Sequence, residues 1–426
     1  MKKDFINRFL LVFVTVGVFL HIPSAHGQPG EHTAPEWNAL GVEYYEAGDW
    51  NRALHCFLEA ASLVPGNETV QRNLANAYQA RAAELADGGD YSSAAQHLEE
   101  AIKASPESPL PRVQLGSYFL RMSLVQDAIV RLEEAILLAP ENLDAHELLG
   151  DAYYQDNDLP SALAQWEFVA KVNPGRAGLR DKLDKGYRED SVEFDFKNLK
   201  SRHFTITHDP HTDRGLLRQT LTVLEHAYRD IGRNFGNVYP PTPILVNVYI
   251  ADDFSRATAL GPHVAAIYDG KIRLPVSDGT GGQIPAEELR RRLYHEYTHV
   301  VVRYLLAENA PWWFNEGLAE TFSNELTPRD AELLHLASSN GGLFPLHSLE
   351  ATQTELSNGE ELRLAYRQSH ASVQYLWRRF GAQGLSRMVD ALARGISPEK
   401  ALLQSYKLNY DQLQKESIAS VVQSSG

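Results

Sequence analysis

A pattern of about 34 residues, repeated four times between residues 34 and 176, constrains the fold of this 426-residue chain more than any other feature. Each copy has a leucine and a small residue, an aromatic residue three positions on, spaced alanines and a closing proline. The leucine pairs are Leu40-Gly41, Leu74-Ala75, Leu115-Gly116 and Leu149-Gly150. Small residues let two helices approach closely, and a proline ends the second helix because it lacks a backbone N–H. The pattern therefore predicts four antiparallel helix pairs in tandem.

This segment resembles the tetratricopeptide repeat family. The resemblance implies an all-α solenoid over residues 34–190, made of four units and a closing helix from Gly175 to Asp190. The second unit carries about seven extra residues around Glu84 to Gly89, which we expect to lie between its two helices. Solenoids of this kind present a concave surface that binds peptide or protein, so we expect a protein partner. A role as a spacer or docking platform is an equal alternative.

Composition limits the function classes. The net charge of -15 argues against nucleic acid or an anionic membrane as the main partner. The chain has one cysteine, Cys56, which excludes a disulfide framework within one chain. Cys56 falls beside packing positions of the first unit, so we expect a buried, inert thiol. Any metal must therefore be held by histidine and carboxylate.

The N-terminus has the pattern of a secretory signal. Basic residues at Lys2, Lys3 and Arg8 precede an apolar run from Phe9 to Leu20, and small residues follow at Ala25 and Gly27. The apolar run is shorter than the roughly 20 residues of a membrane span. We therefore predict a signal peptide over residues 1–27, an exported protein that is periplasmic or secreted, and no integral membrane segment after cleavage. An uncleaved anchor is the alternative.

Residues 195–415 are predicted to form an α+β domain, with 416–426 as a tail. Strand patterns occur at His203 to Thr207 and Pro243 to Ile250, and a helical pattern lies between them at 213–235. Residues 264–275 are typical of a hairpin with Asp269-Gly270 at its turn. Everything after Pro285 has helical periodicity. Strands followed by helices predict an α+β fold, so the chain as a whole is expected to be multidomain.

A His-Glu-x-x-His motif stands at residues 295–299, on a helix expected to begin at Pro285. Residues four apart share a helix face, so His295 and His299 can bind one metal ion. Glu296 lies about 100° further round the helix, where it can reach a metal-bound water without ligating the metal.

A third ligand is needed, and Glu316 supplies it seventeen residues beyond His299. It lies in the segment PWWFNEGLAE, where Pro311 can begin a helix that runs back along the first. Trp312, Trp313 and Phe314 are expected to pack in the core. Glu320 follows one turn after Glu316, where it can accept the free N–H of a ligating histidine.

Together, HEYTH and WWFNEGLAE resemble the gluzincin metallopeptidases, the thermolysin and aminopeptidase N superfamily, and residues 195–415 most resemble its peptidase MA-like domain. The resemblance implies one Zn²⁺ per chain on His295, His299 and Glu316, with Glu296 as the catalytic base. It also makes Tyr366 a candidate oxyanion donor, with a core aromatic role as the alternative and Tyr375 as a weaker candidate. The glycine and third histidine of metzincins are replaced here by Val302 and Leu305, which excludes that clan.

The predicted function is peptide-bond hydrolysis, with endopeptidase action favoured because residues 264–275 lack the Gly-x-Met-Glu-Asn segment that anchors substrate amines in aminopeptidases. The same hairpin can offer an edge strand to a peptide. Two alternatives stay open: a protein-interaction scaffold with a weakly active or structural zinc domain, and a zinc hydrolase acting on a non-peptide bond. His203, His208 and His211 are interpreted as scattered histidines, not a second metal cluster.

Overall fold

The computed structural model describes residues 32–261, 264–277, 282–351 and 359–424. The predicted signal peptide lies outside the described residues. The N-terminal part is a helical solenoid of four helix pairs and a closing helix, as the repeat pattern predicts. Its helices are α1 (Ala34–Glu46), α2 (Trp50–Leu63), α3 (Glu68–Asp87), α4 (Tyr91–Ala104), α5 (Leu110–Arg121), α6 (Val125–Leu138), α7 (Leu143–Gln155), α8 (Leu159–Val172) and α9 (Leu179–Glu193).

The leucine-glycine pairs pack as their spacing predicts. A Cβ atom added to Gly116 would lie 2.6 Å from the Leu132 side chain, and one added to Gly150 would lie 2.5 Å from Trp166. Each glycine therefore accepts a large side chain from the second helix of its own unit. The contact is too short for any other residue without a shift of the two helices.

The second unit differs from the expectation. Its seven or so extra residues do not form a loop between the helices; they lengthen α3 to 20 residues, whereas α5 has 12. Seven residues complete about two turns of α-helix, so the extension keeps the packing face of α3 in register. The connecting turn at Gly88 and Gly89 is consequently displaced along the helix axis. Gly89 has φ +82°, a conformation that favours glycine.

The described residues up to Val70 form one compact unit, and those from Gln71 onward form a second. The described part of the first holds α1, α2 and the start of α3. Cys56 is buried there, and burial, with the charge of Glu59, raises the pKa of its thiol to about 11. A thiol so far from ionising at neutral pH is a poor nucleophile. The prediction of a buried cysteine is confirmed.

The second compact unit continues from α9 into a mixed sheet and eight α-helices among the described residues. The strands are β1 (Lys197–Lys200), β2 (Phe204–His208), β3 (Ile244–Tyr249), β4 (Ile267–Tyr268) and β5 (Ile272–Pro275). The helices are α10 (Arg214–Asn234), α11 (Ala251–Thr258), α12 (Ala286–Leu306), α13 (Trp312–Ser323), α14 (Pro328–Ser339), α15 (Gly359–Ala393, interrupted at Gly381), α16 (Pro398–Tyr406) and α17 (Tyr410–Ser424). The strand order is β1-β2-β3-β5-β4, with β2, β3 and β5 parallel and β1 and β4 antiparallel at the edges.

Most predicted elements are present, with α11 and β1 as unpredicted additions. The 264–275 hairpin is shorter than expected, because its strands begin at Ile267. Residues 416–424 continue α17, where the sequence predicted a tail, and Ile418 and Val421 are buried against α14 and α15. Their apolar spacing of three residues is the pattern of a packed helix face.

The two faces of the sheet have opposite character. One face carries Phe204, Ile206, Val246 and Leu274 into the main hydrophobic core, together with α10 and α12. The other face carries polar side chains, and it lies against the end of the repeat array. There Asn247 of β3 donates to Asn157 and Glu193.

A buried ionic network joins the array to this polar face. The guanidinium of Arg273 on β5 is fully buried and lies 2.7 Å from Glu189, 3.1 Å from Glu193 and 3.1 Å from Asp269. The hydroxyls of Tyr154 and Tyr249 are both 2.6 Å from the same guanidinium. Because α9 supplies two of the carboxylates and α7 one hydroxyl, the closing helix and the fourth unit are fixed to the sheet.

Lys271 adds a second buried cation to this network. Its Nζ lies 3.9 Å from Glu189 and donates to Asn157. Burial, with repulsion from Arg273, lowers the pKa of Lys271 to about 8. Two cations therefore depend on the carboxylates of α9 in a region that excludes water.

We expect the Glu189→Gln variant to lose about 3–5 kcal/mol of unfolding free energy, because it leaves buried positive charge uncompensated. Denaturant unfolding followed by tryptophan fluorescence measures the change. The matched control is Arg180→Gln on the same helix, whose pair with Asp184 is 91% and 58% exposed and should contribute less than about 1 kcal/mol. Equal stability of the two variants would refute the structural role of the network.

Candidate metal centre

The helix α12 carries the His-Glu-x-x-His motif. One of its faces packs in the hydrophobic core, and the opposite face carries the two histidines. Leu293, Tyr297, Val300 and Val301 are buried in the main core. His295 and His299 share the opposite face, and their side chains are 15% and 12% exposed. Pro285 is the residue before the first helical turn, one position from the predicted start.

The second helix of the site, α13, begins after Pro311 and is almost wholly buried. Trp312, Trp313 and Phe314 pack in the core, as predicted. Gly317 lies directly after Glu316, and a Cβ atom there would be 2.4 Å from Val373 and 2.6 Å from the Ser369 carbonyl. This glycine lets α15 approach α13 closely, which brings the residues of α15 to the site.

Three ligand groups converge between the two helices. The Nε2 atoms of His295 and His299 lie 3.5 and 3.6 Å from Oε2 of Glu316. Among the residues that the structure describes, these three form the one group of histidine, cysteine or acidic side chains that could hold a metal ion, with all ligand atoms within 4.8 Å of one another. Two imidazole nitrogens and one carboxylate are a donor set that catalytic zinc sites use.

The hydrogen bonding of these groups supports a bound cation. Oε2 of Glu316 is buried and has no hydrogen-bond partner among the described residues, and the same holds for Nδ1 of His295. A buried carboxylate oxygen without a partner is costly. A cation at the point where both Nε2 atoms converge would satisfy it.

Polar side chains lie behind both histidines, and one of them forms a hydrogen bond to His299. Nδ1 of His299 lies 3.0 Å from Oδ1 of Asn315, and Nδ1 of His295 lies 3.6 Å from Glu320. Arg367 of α15 holds the other oxygen of Glu320 at 2.9 Å. Glu320 lies beside His295, at a distance longer than a hydrogen bond. Asn315 and Arg367 were not predicted, although the position of Asn315 directly before Glu316 was a signal for the first.

The electrostatics of the site favour positive charge. Burial works to lower the pKa of His295, but Glu316, Glu296 and Glu320 together raise it to about 9. Burial raises the pKa of Glu296, and the charge of Glu316 adds to this effect. In Glu316 the two histidines outweigh burial and lower the pKa. Three carboxylates thus surround one small region that a cation or a proton must neutralise.

The two tyrosine candidates are separated by the structure. Tyr366 packs edge-on against Trp312 with ring centroids 5.1 Å apart. Burial and the charges of Glu316, Glu320 and Glu296 raise the pKa of Tyr366, so it lies within electrostatic range of the site. Tyr375, the weaker candidate, instead donates its hydroxyl hydrogen to Glu416 of α17. Its hydroxyl is therefore engaged by a helix outside the site.

The scattered histidines also have other partners. Nδ1 of His203 lies 2.6 Å from Glu225, and Nδ1 of His211 lies 3.1 Å from Asp209. Nδ1 of His208 contacts the Asp209 carbonyl. No metal-binding group includes them in the described part of the chain.

Family models match three segments of the chain. Residues 286–423 match the peptidase MA superfamily, and residues 113–172 match a tetratricopeptide repeat. Residues 32–136 match the soluble NSF attachment protein, SNAP. No curated protein sequence matches the chain significantly.

The solved structures that resemble the chain include tetratricopeptide repeat proteins. The first repeat domain of Spaghetti (RPAP3), bound to the HSP90 peptide SRMEEVD, is 19% identical, with 27% of this chain and 90% of that chain covered and a TM-score of 0.27. MamA is 22% identical over 36% of this chain and 85% of its own, with a TM-score of 0.30. YrrB, a repeat protein with an unusual peptide-binding site, is 20% identical over 37% and 78%, with a TM-score of 0.31.

Replacing Asn315 with alanine should weaken divalent-metal binding about 10–100-fold, because the variant removes the acceptor that orients His299. Competition between the protein and a chromophoric chelator for Co²⁺ measures the affinity. The control is Asn340→Ala, an exposed asparagine at the end of α14, which should bind as the parent does. Unchanged affinity in Asn315→Ala would show that this contact does not orient the ligand.

Proposed function

The chain joins tetratricopeptide repeats to a C-terminal domain of the peptidase MA superfamily, and we propose that it is an exported zinc metallopeptidase. The observation that carries the proposal is the convergence of His295, His299 and Glu316, with Glu296 one residue from the first ligand. Zinc in such a site would act as a Lewis acid that polarises a carbonyl, and it would lower the pKa of a bound water to about 7.

Glu296 is proposed as the general base. Its carboxylate is buried on the same helix as both histidines. It takes a proton from the attacking water while the water oxygen bonds to the peptide carbonyl carbon. It then delivers that proton to the nitrogen as the C–N bond breaks. The raised pKa of Glu296 favours this role, because a base whose pKa approaches the working pH also returns its proton readily.

Tyr366 is proposed as the donor that stabilises the oxyanion. Its hydroxyl is neutral over the physiological range, since burial and three carboxylates raise its pKa. A neutral hydroxyl in a largely buried site can donate to developing negative charge.

The substrate is proposed to be a peptide. The edge strand β4 gives a peptide backbone a place to pair, and the repeats supply a surface of the kind that binds protein or peptide. Export rests on the basic start, apolar run and small residues of the N-terminus. No helix among the described residues is long and apolar enough to cross a membrane.

Two other functions are separable from this one. A scaffold with a structural or weakly active zinc site predicts normal cellular function in a Glu296→Ala strain. A zinc hydrolase of non-peptide bonds predicts no cleavage in a peptide library, together with turnover of another ester or amide.

Zinc content is the first test. Protein purified without chelators should contain about one zinc per chain by elemental analysis, and Glu316→Ala should lose most of it, since the variant removes one of three ligands. The control is Glu332→Ala, an exposed glutamate of α14. A wild-type chain without zinc would refute the metallopeptidase proposal.

The base is tested by Glu296→Gln, which should retain zinc and lower kcat by at least about 100-fold, since general-base catalysis contributes roughly that much. Peptide-library turnover and metal content are measured on the same preparation. Full activity of this variant would rule out Glu296 as the base.

A further inference from the structure

The segment from Ala265 to Tyr268, which includes β4, lies along α12, the helix that carries the two histidines. Nη1 of Arg292 donates to the Ala265 carbonyl at 3.0 Å, and Tyr268 lies within electrostatic range of Arg303. Arg292 precedes His295 by about one helical turn, and Arg303 follows His299 by about one turn. The segment from Ala265 to Tyr268 therefore runs beside the metal-binding turn of α12 and in the same direction.

This segment ends the sheet. β4 pairs with β5 on one side, and no strand pairs with its other side in the part of the chain that the structure describes. An edge of this kind accepts an extended peptide through backbone hydrogen bonds. Antiparallel pairing is slightly the more stable arrangement, and it directs the N-terminal end of the peptide toward Tyr268.

The repeat array meets the edge at Tyr268. Ser123, in the turn between α5 and α6 of the third unit, lies close enough to the Tyr268 side chain to affect its pKa. Tyr268 is the cross-strand partner of Ile272 and so lies on the core face of the sheet, opposite the face that Arg273 presents to the array. The Ser123 turn therefore lies beside Tyr268 at the edge of the sheet.

The turn beyond Tyr268 also contacts the array. Oδ2 of Asp269 lies 2.7 Å from Nζ of Lys185, and a Cβ atom at Gly270 would lie 3.4 Å from Gln155. These contacts involve the fourth unit and the closing helix. The C-terminal end of β4 is thus closed by three parts of the solenoid.

The loop between the two metal-binding helices completes the closure. Glu308 pairs with Arg303 at 3.5 Å and, across the interface, with Arg121 of the third unit. Asn309 donates to the Gly89 carbonyl at 3.0 Å. The two-turn extension of α3 places Gly89 at this contact, which gives the extra residues of the second unit a structural purpose.

We propose that the turns of the repeat array form an end wall of the substrate cleft, so that a bound peptide has room for only a few residues on the N-terminal side of the cleaved bond. This inference rests on the proposed peptidase function. Arg303 lies four residues beyond His299 and eight beyond His295, about 6 to 12 Å along the helix, which corresponds to roughly two to four residues of extended peptide. The substrate class is short peptides, or chains cut close to the N-terminus.

The wall acts by exclusion and not by binding the amine. Its acidic group, Glu308, is already paired with two arginines, and the hairpin lacks the acidic segment by which aminopeptidases anchor amines. An acetylated N-terminus should therefore be accepted as well as a free one.

The test uses the full chain and quenched fluorescent peptides with one cleavable core, extended by zero to eight residues at either end. We expect kcat/KM to fall at least about tenfold once the N-terminal side exceeds about three residues. C-terminal extension and N-terminal acetylation should change kcat/KM less than about twofold. Binding of the same peptides to Glu296→Gln, followed by fluorescence anisotropy, should show the same length limit without turnover.

A second variant opens the wall. The double variant Arg121→Ser, Ser123→Gly removes the ion pair of Arg121 with Glu308 and the contact of the Ser123 side chain with Tyr268. Glycine suits position 123 because Ser123 has φ +58°. Extended peptides should regain at least half of the lost kcat/KM in this variant, and the control Arg52→Ser, an exposed arginine of the first unit, should not change the limit.

The outcomes separate the two proposals. Cleavage that ignores N-terminal length, or a penalty on the C-terminal side, overturns the wall and leaves the peptidase standing. Length-limited binding without cleavage of any peptide overturns the peptidase and leaves the wall. Neither binding nor cleavage overturns both.

Discussion

The burial of Arg273 is the constraint on which the rest of this structure depends. A guanidinium fully removed from water requires compensating carboxylates, and Glu189 and Glu193 provide them from the helix that closes the repeat array. The polar face of the sheet is thereby covered by the solenoid. The position of the sheet in turn fixes β4 along α12. The repeats from the second unit onward therefore belong to the framework of the metal centre, in addition to any binding surface that they offer.

In the candidate metal centre, as around Arg273, buried charges of one sign require compensation by charges of the other sign. Glu296, Glu316 and Glu320 lie close together with little water, and the raised pKa of His295 reflects their combined potential. A cation held by His295, His299 and Glu316 would offset this potential. Arg367 neutralises the outer carboxylate at Glu320. Gly317 makes this possible, since any side chain there would keep α15, and with it Arg367 and Tyr366, away from α13.

Local chemistry in the sequence was enough to predict several features. The helix pairs follow from the leucine-glycine spacing, and the candidate ligands follow from residues four apart on one helix with a glutamate on the next. Asn315 and Arg367 were not found, because hydrogen-bond partners across a packed interface leave no periodic signal. The second-unit extension was predicted as a loop, but its length of two helical turns suits a continued helix. Residues 416–426 were assigned to a tail outside the domain because the apolar spacing of Ile418 and Val421 covers less than one turn and does not show that this end packs.

The sequence by itself determined the two architectures and the donor set of the site, because repeat spacing and helical periodicity act over a few residues. Only the tertiary structure decided how the parts meet. Arg273, Glu189 and Tyr154 are separated by many residues, and nothing in their neighbours marks them as partners. Their pairing follows from the cost of leaving any one of them buried alone. The same holds for the turn at Ser123 and the edge strand at Tyr268, which the packing of the array on the sheet brings together.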